Sequence, residues 1–187
     1  KIDQSEFRQN YTYGAGPAFY INQPLALDLQ ISNSTFEENI GSKTGASVGY
    51  VDCLTSKVCN GIVSHSLFEG NYARGGEYGT ALMWSAGALT LSQSTFRNNR
   101  SYGRKGGKAV LAGLNRYPNE DGTLPIFALA VENSTFDSNE GNADGIVLAN
   151  VYTGDSVLLQ SNTLLNNNPP LVPASDTSAN LGGDQGR

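Results

Sequence analysis

The sequence is short of the side chains from which most enzymes and nucleic-acid binders are built. One His, one Met, one Trp and two Cys occur in 187 residues, and charged residues make up only 16%. Lys and Arg number 12 against 17 Asp and Glu, a formal net charge of -5, so no basic stripe exists to neutralise phosphates and nucleic acid is argued against as a partner. No apolar run reaches the roughly 18 residues that a membrane-spanning helix requires. No secretory leader is recognisable either. Lys1-Ile2-Asp3 enters directly in a repeat, and the chain is expected to be an excised or mature piece of something longer. The single His65 with two cysteines is too small a ligand set for zinc. None of the G-x-S-x-G, Walker A, H-E-x-x-H or EF-hand patterns occurs.

What is present in excess is Gly, with 22 residues, together with Asn and Ser. Gly and Asn favour tight turns, while the helix formers Lys, Met and Arg are scarce. The bias suits many short strands joined by many turns. It is organised as a repeat: an aliphatic residue, an aromatic five positions later, and an Asn three after that. The repeat reads Ile2-DQSE-Phe7-RQ-Asn10, Ile31-SNST-Phe36-EE-Asn39, Val63-SHSL-Phe68-EG-Asn71, Leu91-SQST-Phe96-RN-Asn99, Val131-ENST-Phe136-DS-Asn139 and Leu159-QSNT-Leu164-LN-Asn167. Ser stands two before the ring at Ser5, Ser34, Ser66, Ser94 and Ser134, with Asn162 in the sixth unit.

The ring positions are separated by 29, 32, 28, 40 and 28 residues. A base period with occasional longer units is how coils of a solenoid behave, because each coil need regain register only at its strands. Within a unit, Leu25, Leu27, Leu29 and Ile31 keep one parity, as residues on one face of a strand do. The ring lies an odd step further, so both can face inward only if the chain bends at the small polar triplet, such as Ser32-Asn33-Ser34. A Gly-led apolar run follows each Asn, as in Ala18–Ile21, Ala46–Val51, Ala81–Trp84, Ala109–Ala112 and Ile146–Ala149. Each unit therefore supplies at least two strands, with room for a third. The expected fold is all-β, a single-stranded parallel β-helix of about six coils over 1–168. Phe7, Phe36, Phe68, Phe96, Phe136 and Leu164 are expected to form one interior column. Asn10, Asn39, Asn71, Asn99, Asn139 and Asn167 are expected to form an amide ladder at a turn. Residues 169–187, with Pro169-Pro170 and Pro173 followed by Ser, Asp and Gly, read as a linker or tail.

The F-x-x-N elements at Phe7–Asn10, Phe36–Asn39, Phe68–Asn71, Phe96–Asn99 and Phe136–Asn139, with the looser Gly106-Gly107-Lys108-Ala109-Val110, resemble the repeats of polymorphic outer-membrane proteins. They also resemble related right-handed β-helices of the pectin-lyase-like superfamily. The resemblance covers residues 1–168 at the level of pattern. It implies a right-handed coil and a surface-exposed passenger with adhesive or display functions. The wider superfamily also contains polysaccharide lyases, hydrolases and epimerases.

Candidate sites are few. Cys53 and Cys59 read as a local disulfide if the chain is extracellular, with two free thiols as the alternative. Asn10, Asn33, Asn99 and Asn133 head N-x-S/T sequons, relevant in a secreting eukaryote. Segments 52–60 and 115–125 read as surface loops. His65 stands where other units carry Gln4, Asn33, Gln93, Asn133 and Ser161, so it reads as a member of a polar corner stack. The position after the ring carries Arg8, Glu37, Glu69, Arg97, Asp137 and Leu165. Glu37 and Glu69 would lie roughly 4.8 Å apart on stacked strands, close enough to share a proton or a cation. The mixed signs favour a solvated stripe instead. No catalytic, metal or cofactor residue is assigned. The expected role is an extracellular or cell-surface structural or adhesive scaffold, partnered by other subunits or by glycans. The alternative is a carbohydrate-active β-helix or its glycan-binding module.

Overall fold

A computed structural model describes residues 1–22, 26–42, 46–53, 59–74, 79–101, 107–112, 126–141, 147–149, 156–167 and 179–180. The described chain is a parallel β-solenoid whose circuits each contain up to four short strands, one for each of four sheets. Sheet I stacks Ile2–Asp3, Leu27–Ser32, Cys59–Ser64, Gly87–Ser92, Phe127–Glu132 and Ser156–Gln160. Sheet II stacks Glu6–Arg8, Thr35–Glu37, Leu67–Glu69, Thr95–Arg97, Thr135–Asp137 and Thr163–Leu165. Sheet III is built from the two-residue strands Tyr11–Thr12, Ile40–Gly41, Tyr72–Ala73, Arg100–Ser101 and Glu140–Gly141. Sheet IV stacks Phe19–Asn22, Ala46–Asp52, Gly79–Trp84, Gly107–Ala112 and Val147–Ala149, and Ala179–Asn180 closes its edge antiparallel. Five circuits contain all four strands. The sixth is partial among the described residues, so the stack falls slightly short of the six coils expected.

The repeat becomes register. Phe7, Phe36, Phe68, Phe96, Phe136 and Leu164 are successive Cα partners across sheet II. Their rings stack with centroids 5.1, 4.8, 4.5 and 5.1 Å apart and interplanar angles of 7, 16, 8 and 5°. Phe36, Phe68, Phe96 and Phe136 are fully enclosed. Across sheet I, Ile2, Ile31, Val63, Leu91, Val131 and Leu159 form a second inward column. The two columns face one core, which explains why both positions must be apolar although they stand an odd step of five apart.

The backbone solves the parity problem with a left-handed residue. Gln4, Asn33, His65, Gln93, Asn133 and Ser161 all have φ between 47 and 54°. This is the bend expected at the polar triplet, and its polar residues include Asn, which tolerates the region better than most. A second left-handed residue follows each ring: Gln9, Glu38, Asn98, Ser138 and Asn166 at 52 to 54°, with Gly70 at 62°. It separates sheet II from the two-residue strands of sheet III. Those strands are too short to carry a legible period, so the sequence shows a turn where the chain makes a further strand.

Sheet IV packs differently. Gly49 shares an inward column with Phe19 and Leu82, and a Cβ on Gly49 would fall inside the Phe19 ring. Gly61 interrupts the Leu29–Leu89–Leu129 column of sheet I, and a Cβ there would fall inside the Trp84 indole. A missing side chain on one coil thus admits a large ring from another. Trp84 is fully buried and its indole N–H donates to the Ala86 carbonyl at 2.8 Å, so its one polar atom is satisfied.

Candidate functional site

The polar groups of the interior are occupied by the stack itself. Each Asn amide of the ladder donates to the carboxamide oxygen of the next: Asn10 to Asn39, Asn39 to Asn71, Asn71 to Asn99 and Asn99 to Asn139 at 2.9 Å, and Asn139 to Asn167 at 3.0 Å. The second amide hydrogen goes to the ring residue's carbonyl one coil back, as from Asn71 to Phe36 and from Asn99 to Phe68, both at 2.9 Å. The oxygen accepts again from the backbone N–H of the preceding Asn, as Asn99 does from Asn71 at 3.1 Å. Four bonds fully satisfy such an amide. Beside this runs a hydroxyl ladder. The N–H groups of Ser5, Ser34, Ser66 and Ser94 each donate to the next Ser hydroxyl at 3.2 Å, and Ser134 N–H donates to Asn162 Oδ1 at 3.0 Å. Asn162 replaces Ser without breaking the ladder because its carboxamide supplies the same acceptor.

The four sequons divide on this geometry. Asn33 and Asn133 sit exposed at the left-handed corner between sheets I and II. Asn99 is buried with both amide hydrogens engaged, and Asn10 donates to Asn39. A glycan on the Asn99 nitrogen would therefore require the ladder to open.

Cys53 and Cys59 form a disulfide with Cα atoms 6.4 Å apart. Both are buried in the core and link the end of the second circuit to the start of the third. Residues 54–58 and 113–125 lie outside the described residues, so the two expected loops are described only at their flanks. The expected tail lies outside them too, except Ala179 and Asn180.

The outward stripe on sheet II is paired off by sign. Glu37 and Glu69 are Cα partners on adjacent strands, as expected. Arg8 bonds Glu37 at 3.2 Å and Arg97 bonds Glu69 at 2.7 Å, so each carboxylate turns to its own cation. Arg97 is held protonated above the ordinary guanidinium range by that bond. These partly exposed pairs are each worth about 0–1 kcal/mol. His65 is exposed in an open cleft of about 590 Å³ lined by Asn33, Gln93, Thr35, Thr95 and Arg97 among others, and among the described residues that line it there is no carboxylate to orient an imidazole. Among the described residues, no group of three or more His, Cys, Asp or Glu could hold a metal ion. No helix among them is long and apolar enough to cross a membrane.

Two features escape the repeat. Asp52 is partly buried at the end of a sheet IV strand, and one of its carboxylate oxygens has no hydrogen-bond partner. Burial raises its pKa, and a bond from Ser85 opposes the shift. The second is aromatic. Tyr11, Tyr13 and Tyr20 are 66, 69 and 55% exposed, and Tyr20 stacks on Tyr50 at 5.2 Å. A cleft of about 550 Å³ lies between Tyr11 and Tyr20 over Gly14–Pro17. The sequence did signal it: Tyr11 and Tyr13 share one parity, and Tyr20 lies between inward Phe19 and Ile21.

Searches against protein-family models, curated proteins and solved structures returned no match.

Proposed function

We propose that the chain is a non-catalytic structural or adhesive scaffold of an extracellular or cell-surface assembly, of the right-handed pectin-lyase-like type that its F-x-x-N repeats resemble. One observation carries the reading. Among the described residues, the repeat's amides and hydroxyls bond one another in ladders, and Glu37 and Glu69 pair with separate arginines. A stack of this kind gives an inert, elongated core whose outer faces are free for contact. The buried disulfide suits an oxidising compartment. The exposed sequons at Asn33 and Asn133 suit a glycoprotein. Among the described residues the outermost strands of sheet II each have one neighbour, and Leu159 in the outermost strand of sheet I is 43% exposed, which suits contact with a partner subunit.

The reading is tested by incubating the purified chain with pectic, xylan and glucan polysaccharides and following new reducing ends. No turnover is expected, while beads coated with the chain gain attachment to cell or polysaccharide surfaces. Turnover that Glu37→Gln or Glu69→Gln abolishes would move the protein to the carbohydrate-active alternative.

A further inference from the structure

We infer that the fold opens the sequons at Asn33 and Asn133 to N-linked glycans and closes the one at Asn99. This rests on the extracellular reading and deepens it by naming the modified atoms.

The same tripeptide pattern falls at two phases of the coil. In Asn33-Ser34-Thr35 and Asn133-Ser134-Thr135 the Asn takes the left-handed corner, with φ of 48°, and is exposed. The next residue turns inward to the hydroxyl ladder, so Ser34 and Ser134 are buried. The Thr stands one position before an inward ring on a sheet II strand and therefore faces out. Asn and Thr, the two side chains by which a sequon is read, thus share the outer surface. Asn99-Arg100-Ser101 is turned inside out. Asn99 and Ser101 are 4 and 2% exposed, and the Arg100 between them faces solvent. Asn10-Tyr11-Thr12 has this second phase too, but in the first circuit, where Asn10 is only half-buried.

Glycan transfer replaces one hydrogen of the Asn amide. Nδ2 attacks the anomeric carbon of an oligosaccharide carried on a lipid pyrophosphate. The C–N bond forms, the C–O bond to pyrophosphate breaks, and the amide gives up a proton to a base as the lipid pyrophosphate departs. One N–H remains on the linked Asn. Asn33 can use it as it does now, donating to Asp3 Oδ1 at 3.1 Å on the exposed surface. Asn99 needs both of its hydrogens: one goes to Asn139 Oδ1 and the other to the Phe68 carbonyl, each at 2.9 Å. A glycan there leaves a buried acceptor unpaired and drives a bulky polar group into the stack. Asn33 and Asn133 stand on one edge, three coil rises or about 14 Å apart, so neither attachment point blocks the other.

The test uses the intact chain secreted from a eukaryotic cell line. Its glycans are released enzymatically in heavy-oxygen water, which marks each occupied Asn as a labelled Asp in peptide mass spectra. Label is expected at residues 33 and 133 and not at 99. Asn33→Gln and Asn133→Gln should each remove the mass of one glycan and keep the fold, since Gln4 and Gln93 hold the same left-handed corner in other coils. Ser101→Ala destroys the sequon at Asn99 without touching the ladder, because the Ser101 hydroxyl has no hydrogen-bond partner among the described residues, and should leave the glycan mass unchanged. Gln93→Asn, followed by Ser94 and Thr95, places a sequon at the corner of the fourth circuit and should add one glycan. Label at 99 in folded, secreted protein, or a loss of mass with Ser101→Ala, overturns the proposal. Unlabelled 33 and 133, or no gain from Gln93→Asn, overturns it equally. Any of these results with the Cys53–Cys59 bond formed and bead adhesion intact would remove the glycans and leave the scaffold standing.

Discussion

Sheets II and IV enclose the same core by different means. Sheet II stacks like on like: ring over ring, amide over amide, with φ at each corner repeating within a few degrees. Sheet IV is mixed: Tyr20 stands over Tyr50 and Val110 pairs with Val147, but Phe19 stands over Gly49, Tyr50 beside Met83, and a register shift falls between Thr80 and Leu82. Identical stacking makes each coil replaceable by its neighbour, so its energy is a sum of nearest-neighbour terms. Complementary stacking ties particular coils together and leaves irregular surface, which is where the tyrosine cleft and Asp52 are found.

The difference is sharpest under truncation. Phe68→Ala removes a ring packed on both faces, at 4.8 and 4.5 Å, and should cost about 3–5 kcal/mol in denaturant unfolding. The same change at Phe7, which has a ring neighbour on one side and is partly exposed, should cost clearly less.

Asn71→Ala tests the amide column beside it. The substitution leaves the Asn39 amide and the Phe36 carbonyl without their partners inside the stack, and about 3 kcal/mol of destabilisation is expected from those orphaned groups. The exposed Asn33→Ala should cost far less, and chemical unfolding of both variants in parallel checks the contrast.

On the sheet IV side, Cys53→Ser with Cys59→Ser releases a short loop. Chain entropy puts the loss at about 2 kcal/mol, read as a lower Tm under non-reducing conditions.

The smallest effect concerns pH. Asp52 has a folded pKa raised above 3.8, so its charged form costs stability at neutral pH, and the cost fades as pH falls through the folded and then the unfolded value. Asp52→Asn should raise Tm at pH 7 and lose that advantage in acid. Asp3 runs the other way. Bonds from Ser32, Asn33 and Lys1 lower its pKa to about 2, so its contribution is present above 3.8 and disappears as pH falls toward 2.

What could be read from the residues follows the same division. The Phe, Asn and Ser columns were legible because stacking imposes one requirement on every coil, and six repetitions expose it. The bend at Asn33 was legible because apolar residues an odd step apart cannot share a face on a straight strand. Sheet III was not, since two residues show no alternation. The pairing of Gly49 with Phe19 and Gly61 with Trp84 was not either, because a glycine records that space is needed but not which side chain fills it. The tyrosine cleft lies on the outward parity of the irregular side, where the repeat places no constraint and the only mark is the alternation of Tyr11 with Tyr13 and the place of Tyr20 between Phe19 and Ile21.

The most direct measurement is the set of ring-to-ring nuclear Overhauser contacts in protein labelled only at phenylalanine. Contacts are predicted from Phe7 to Phe36, Phe36 to Phe68, Phe68 to Phe96 and Phe96 to Phe136, in that order, with none that skips a coil. Rings that show no sequential contacts, or contacts between non-adjacent repeats, would contradict the stacked solenoid.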